Sequence, residues 1–189
     1  MLQVLGTAIL ISLPSLSLAP ATGLASAVPT IVQEDESKWK DRLPDQDRAA
    51  AEAGIGFEVP AFPEGLTWIG APSEVSMEKL RGKVIVLQTW TCGTSLGRGI
   101  PKKLDRSLRD LAQRDDVEVI LVHTPQDEEK SARFCARAKP AFPVAVDTSG
   151  AFCDQLGAFK LPVNVIVDRS GTIRYAGLTD RGAASAVTH

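Results

Sequence analysis

Three nearly continuous apolar runs constrain this chain most: Val84-Ile85-Val86-Leu87, Val117 to Val122, and Val163 to Val167. Each is short and rich in β-branched residues, the pattern of strands covered on both faces. Between the first two, Ile100, Leu104, Leu108 and Leu111 recur at helical spacing and mark one buried helix face. After the second run, Thr124-Pro125 with Asp127 three residues past the cap predicts a helix running to about Lys139, where Pro140 ends it. Pro143 to Val146 reads as a short strand, and Ala151 to Leu156 as a short helix closed by Gly157. Asp168-Arg169-Ser170-Gly171 is a tight turn that folds Thr172 to Ala176 back on the third run. From Arg181 a final helix begins, which the chain cuts short. The alternation predicts an α/β fold, a central mixed β-sheet flanked by helices. Its strand ends would gather Gln88 to Cys92, His123 and the residues around Pro162 on one edge.

The stretch before these runs has a different character. Residues 1–27 contain no charged side chain, carry an apolar run from Val4 to Leu13 and end in Ala25-Ser26-Ala27, a small-x-small pattern. They read as a secretory signal peptide, without the usual basic n-region. The apolar run is about ten residues, against about twenty for a spanning helix, so no stable membrane span is expected after processing. Residues 28–53 form a mixed-charge linker, partly helical near Arg48 to Ala53, and residues 54–189 form the folded domain. Export to the periplasm or another extracytoplasmic space would place the chain where disulfides persist.

Composition removes other classes. The chain has 189 residues, is 44% hydrophobic and carries a net charge of −2, so it can bury a core and lacks the basic surplus of a nucleic-acid binder. Three cysteines without a C-x-x-C and two histidines argue against a metal centre, and no cofactor is expected.

Leu80-Arg81-Gly82-Lys83 leading into Val84-Ile85-Val86-Leu87, then Trp90, a Gly-rich turn and Pro101, resembles the entry of a TlpA-type thioredoxin-like (redoxin) domain. Leu161-Pro162-Val163 and the strand, turn and strand that follow are similar to that family's cis-proline loop and hairpin. The resemblance implies a thioredoxin-like fold, a cis Pro162, and a thiol-disulfide site that takes protein or small-molecule thiols and disulfides. Members of the family carry W-C-x-x-C where this chain reads Trp90-Thr91-Cys92-Gly93-Thr94-Ser95. The second cysteine is replaced, giving C-x-x-S with Ser95 at the degenerate resolving position. Counting from Gly82-Lys83 puts the family's cysteines on Thr94 and Gly97, and counting back from Pro101 puts them on Gly93 and Leu96.

A thiol at a helix N-terminus meets unsatisfied N–H groups and the positive end of the dipole, which lowers its pKa and makes it a nucleophile. Serine at the second position cannot release a mixed disulfide, so Cys92 alone would hold its partner until another thiol arrives. His123 either approaches Cys92 and lowers its pKa or bonds nearby backbone. Trp90 packs under the loop or touches a partner, and Leu161 with Pro162 would present a backbone edge to an extended peptide. Three fates are open for Cys135 and Cys153: a disulfide with each other, inert core thiols, or one of them resolving Cys92.

The sequence therefore points to an exported thioredoxin-like oxidoreductase using a single loop cysteine. The alternative is a redox-inactive binding or structural module of the same fold. A peroxidase is weaker: Thr89 stands three before Cys92, but Ile85 occupies the place where such sites carry proline.

Overall fold

The structure is a computed structural model that describes residues 45–71, 75–158, 162–178 and 180–188. The expected signal segment, most of the expected linker, and Leu161 with its peptide bond to Pro162 lie outside the described residues. Strand β2 (Val84–Trp90) is the centre: all seven of its residues are buried. It pairs in parallel with β3 (Val117–His123) on one side and antiparallel with β5 (Asn164–Val167) on the other. A strand with neighbours on both edges and helices on both faces tolerates apolar residues throughout, hence the unbroken run. The remaining strands are β1 (Thr67–Ile69), β4 (Val144–Val146) and β6 (Ile173–Gly177). They complete a six-stranded sheet in the order β1-β4-β3-β2-β5-β6.

The two-residue period of β2 divides its side chains between two cores. Ile85 and Leu87 join Phe152, Cys153, Val165 and Val167 on one face. Val86 and Trp90 join Leu104, Leu108, Cys135 and Ile166 on the other. Helix α2 (Ser95–Leu108) contributes Leu104 and Leu108 as predicted. Leu111 falls beyond it in a 3₁₀ turn, Leu111–Gln113, and packs on the same core. The remaining helices are α1 (Asp45–Glu52), α3 (Ser131–Ala138), α4 (Ala151–Gln155) and α5 (Asp180–Thr188). None of the described helices is long and apolar enough to cross a membrane.

One expectation needs correction, and one of the fates open to the cysteines is absent. Thr124 does not cap a helix: its N–H bonds the Trp90 carbonyl at 2.8 Å. The chain instead takes a left-handed turn at Asp127 (φ 57), then a 3₁₀ turn at Glu128–Lys130, and α3 starts only at Ser131. The edge strand β1 carries only three residues, Thr67-Trp68-Ile69, and that is too short to show a period. Cys135 and Cys153 also do not pair. All three cysteines are free, and these two lie in different cores with the sheet between them.

Helix α4 is held by Asp147, a buried carboxylate that accepts the N–H groups of Gly150 (3.0 Å) and Cys153 (2.8 Å) and the Ser149 hydroxyl (3.1 Å). Removing it strands buried donors. Asp147→Ala is expected to lower stability by about 2–4 kcal/mol, read as a lower urea midpoint at an unchanged slope. An unchanged midpoint would show that α4 does not depend on this carboxylate.

Candidate functional site

The site is built where β2 and β3 end side by side, with Trp90 opposite His123 in the parallel register. Next to them β5 begins, with Gln88 opposite Asn164. Thr89 ties the segment after Pro162 to this edge. Its N–H bonds the Val163 carbonyl at 2.9 Å, and its hydroxyl accepts the Val163 N–H at 2.8 Å. The hydroxyl that invited comparison with peroxidase sites is thus occupied in positioning the proline segment.

Helix α2 starts at Ser95, three residues after Cys92. Thr94 is its N-cap, and the Thr94 hydroxyl accepts the Gly97 N–H at 3.0 Å. Cys92 therefore sits outside the helix, and its sulfur does not occupy the capping position. In the alternative registers a side chain at Gly97 meets backbone, and one at Gly93 must displace the Asp127 carboxylate. A Cβ on Gly93 would come within 2.0 Å of Asp127 Oδ2, and one on Gly97 within 2.0 Å of the Thr91 carbonyl oxygen. Ser95 is exposed in the first turn, where its oxygen accepts from Arg98 Nη2 at 3.1 Å. Leu96 is 71% exposed.

Cys92 itself is pinned on several sides. Its N–H donates to His123 Nε2 at 3.0 Å. Its carbonyl accepts from Arg98 Nη1 at 3.2 Å, and its thiol donates to the Asp127 carbonyl at 3.5 Å. The residue is only 6% exposed. Burial raises its pKa above the ordinary value, and the neighbouring Asp127 carboxylate adds to the rise. This overturns the expectation of a thiol activated by a helix terminus: the cap belongs to Thr94, and the sulfur turns back toward the core.

His123 takes the second of the two roles open to it. Its Nδ1 lies 2.7 Å from the Thr124 carbonyl, which can only accept, and its Nε2 receives an N–H, which can only donate. The neutral Nδ1–H tautomer follows from these partners. Burial lowers the His123 pKa, against the opposing pull of the Thr124 carbonyl and of Glu128, Asp127 and Glu129. Neutral His123 orients the Cys92 backbone and supplies no charge to a thiolate. Trp90 is 1% exposed, its ring 4.8 Å from His123 and 5.3 Å from Phe134. It packs under the loop.

Pro162 stands between two depressions. One, of about 450 Å³, is lined mainly by apolar residues, among them Leu96, Ile100, Leu104, Pro162 and Leu178, with Lys103 and Arg106 also on its wall. The other, of about 260 Å³, is lined by residues that include Trp90, Thr91, Pro125 and Cys153. Among the described residues no cluster of His, Cys, Asp and Glu could hold a metal ion. The sequence reading missed Asp127, Thr94 and Arg98 as parts of the site. Thr94 was legible as a cap three residues before Gly97; the turn that brings Asp127 over the loop left no signal.

A histidine whose pKa is lowered on folding binds fewer protons folded than unfolded. Its contribution is therefore complete above the ordinary value of 6.5 and is lost as pH falls below it. Between about pH 7.5 and pH 5.5 the stability of His123→Gln is expected to fall less than that of the wild type, by up to about 1 kcal/mol. Equal declines in urea titrations of the two proteins would contradict a buried neutral His123.

The fold is shared with solved thiol-disulfide proteins. The thioredoxin domain of a thiol-disulfide oxidoreductase from Bacteroides vulgatus superposes with a TM-score of 0.59 at 18% identity, covering 71% of this chain and 95% of that one. A thiol:disulfide interchange protein from a Bacteroides species gives 0.56 at 20% identity, with 70% and 87% covered. An exposed lipoprotein thioredoxin from Streptococcus pneumoniae gives 0.53 at 19% identity, with 60% and 90% covered. No curated protein matches the chain. The Redoxin family model matches residues 56–188, most of the chain, and the protein belongs to the Redoxin family.

Proposed function

We propose that this chain is an exported redoxin that carries out thiol-disulfide exchange through one thiol, Cys92, on protein or small-molecule thiols and disulfides. The observation that carries the reading is the placement of Cys92. It lies in the loop between β2 and α2, with its N–H and carbonyl held by His123 and Arg98. The apolar groove beside Pro162 begins at Ser95 and Leu96 of the same segment and would seat an extended partner. Leu161 and a cis peptide bond before Pro162 belong to this proposal as the partner-facing edge. Residues 1–27 would direct export, and the extracytoplasmic setting would supply disulfides.

Burial and the Asp127 carboxylate raise the Cys92 pKa, which opposes formation of the attacking thiolate. The burial and hydrogen bond of that sulfur favour a second reading, a redox-inactive module that binds an extended peptide beside Pro162. The two separate in one experiment. Alkylation of Cys92 by iodoacetamide is expected to accelerate with pH without levelling off below the ordinary thiol value of 9.0. Labelling at Cys92 should also outrun labelling at Cys135 and Cys153, and Cys92→Ser should abolish mixed-disulfide trapping. Equal, slow labelling of all three thiols would sink the exchange reading and leave the binding module.

A further inference from the structure

A partner bound to Cys92 can leave only if a second sulfur attacks the mixed disulfide, and Ser95 cannot supply one. Two other thiols exist, and the fold distinguishes them. Cys153 lies in the core on the opposite face of the sheet from Cys92, and its N–H is tied to Asp147 at 2.8 Å. It borders the smaller depression beside Pro162, which Cys92 does not line, and the Asp147 carboxylate fixes the turn of α4 that carries it. Cys135 shares the core of Cys92. Ser131 and Cys135, four apart on one helix face, are the two buried residues of α3, the helix that follows the Asp127 turn receiving the Cys92 thiol. Ring contact between Trp90 and Phe134 fixes α3 against the strand that leads into the Cys92 loop. Burial, with Cys92 as a second contributor close by, pushes the Cys135 thiol up to about 11.

We infer that Cys135 is the resolving thiol of this site, closing a reversible Cys92–Cys135 disulfide between the β2–α2 loop and α3. The inference rests on the reading of Cys92 as the nucleophile. Cys92 sulfur attacks a partner disulfide R–S–S–R′, an S–S bond forms between Cys92 and R, and R′ leaves as a thiolate that takes the Cys92 proton. Cys135 sulfur then attacks Cys92, the bond to R breaks, and R leaves with the Cys135 proton. Two thiols of the chain are oxidised to one disulfide, and one partner disulfide is reduced to two thiols. The thiol–carbonyl bond to Asp127 must break before the sulfurs meet. This couples exchange to motion of the loop that Arg98 and His123 hold.

The test treats the reduced full chain with one equivalent of 4,4′-dithiodipyridine, a small aromatic disulfide, and follows thiopyridone release. Wild type and Cys153→Ser are expected to release two thiopyridones per chain and to yield a Cys92–Cys135 linked peptide on non-reducing digestion. Cys135→Ala should release one and retain the adduct on Cys92, with a lifetime longer by about a hundredfold or more, because an intramolecular attack has been lost. Cys135→Ser, closer in volume, should behave in the same way. An adduct on wild-type Cys92 as long-lived as that of Cys135→Ala would overturn the resolving role while leaving Cys92 as the nucleophile. Absence of any adduct or linkage at Cys92 would overturn both readings.

Discussion

The hydrogen bond from the Cys92 N–H to His123 Nε2 organises this site. It joins the ends of two parallel strands to the loop between them, and it fixes the histidine tautomer through the Thr124 carbonyl on the other ring nitrogen. With the backbone amide turned toward His123, the side chain of Cys92 points to the Asp127 carbonyl, away from the start of α2. A thiol so placed gives up the helix N-terminus as a source of acidity and meets a carboxylate and apolar side chains instead. Burial and the Asp127 carboxylate, both met in this position, raise the pKa of the thiol.

The same geometry explains why the loop consists of small residues. Gly93 admits the Asp127 carboxylate, and Gly97 lets α2 lie directly on the Thr91 carbonyl. Thr91 completes the closure: its hydroxyl bonds the Gln126 carbonyl at 2.7 Å and accepts the Gly93 N–H at 3.0 Å. A side chain at Gly97 would push α2 off the loop backbone, and one at Gly93 would displace the Asp127 carboxylate. The departures from the family's two-cysteine pattern are therefore consistent with one another. Each contributes to a loop that is closed down on Asp127.

Most of the fold was legible because burial on both faces leaves a strong pattern. The three apolar runs became β2, β3 and β5, and Gly157 and Gly171 fell in the left-handed turns expected to close α4 and the hairpin. The register of α2 was less legible, since its start depends on a Thr94 cap within a stretch of Thr, Ser and Gly that offers several candidates. The environment of Cys92 was not legible at all. It depends on Asp127, 35 positions away, in a left-handed conformation that competes with a good helix-start signal at Thr124-Pro125. Local propensity lost there to a tertiary contact.

The sheet also acts as a partition for sulfur chemistry. Its two faces carry separate cores, and β2 and β3 between them are buried almost throughout. A strand tolerates little displacement, because every ladder bond would be broken together. Loops at the strand ends tolerate more. Cys92 lies on such a loop, and Cys135 lies on a helix of only eight residues that rests on the same face. Cys153 is buried under a cap of three hydrogen bonds to Asp147 on the other side. An oxidising environment would act differently on the three: one pair lies in a single core, while the third sits on the other face, in a helix held by Asp147.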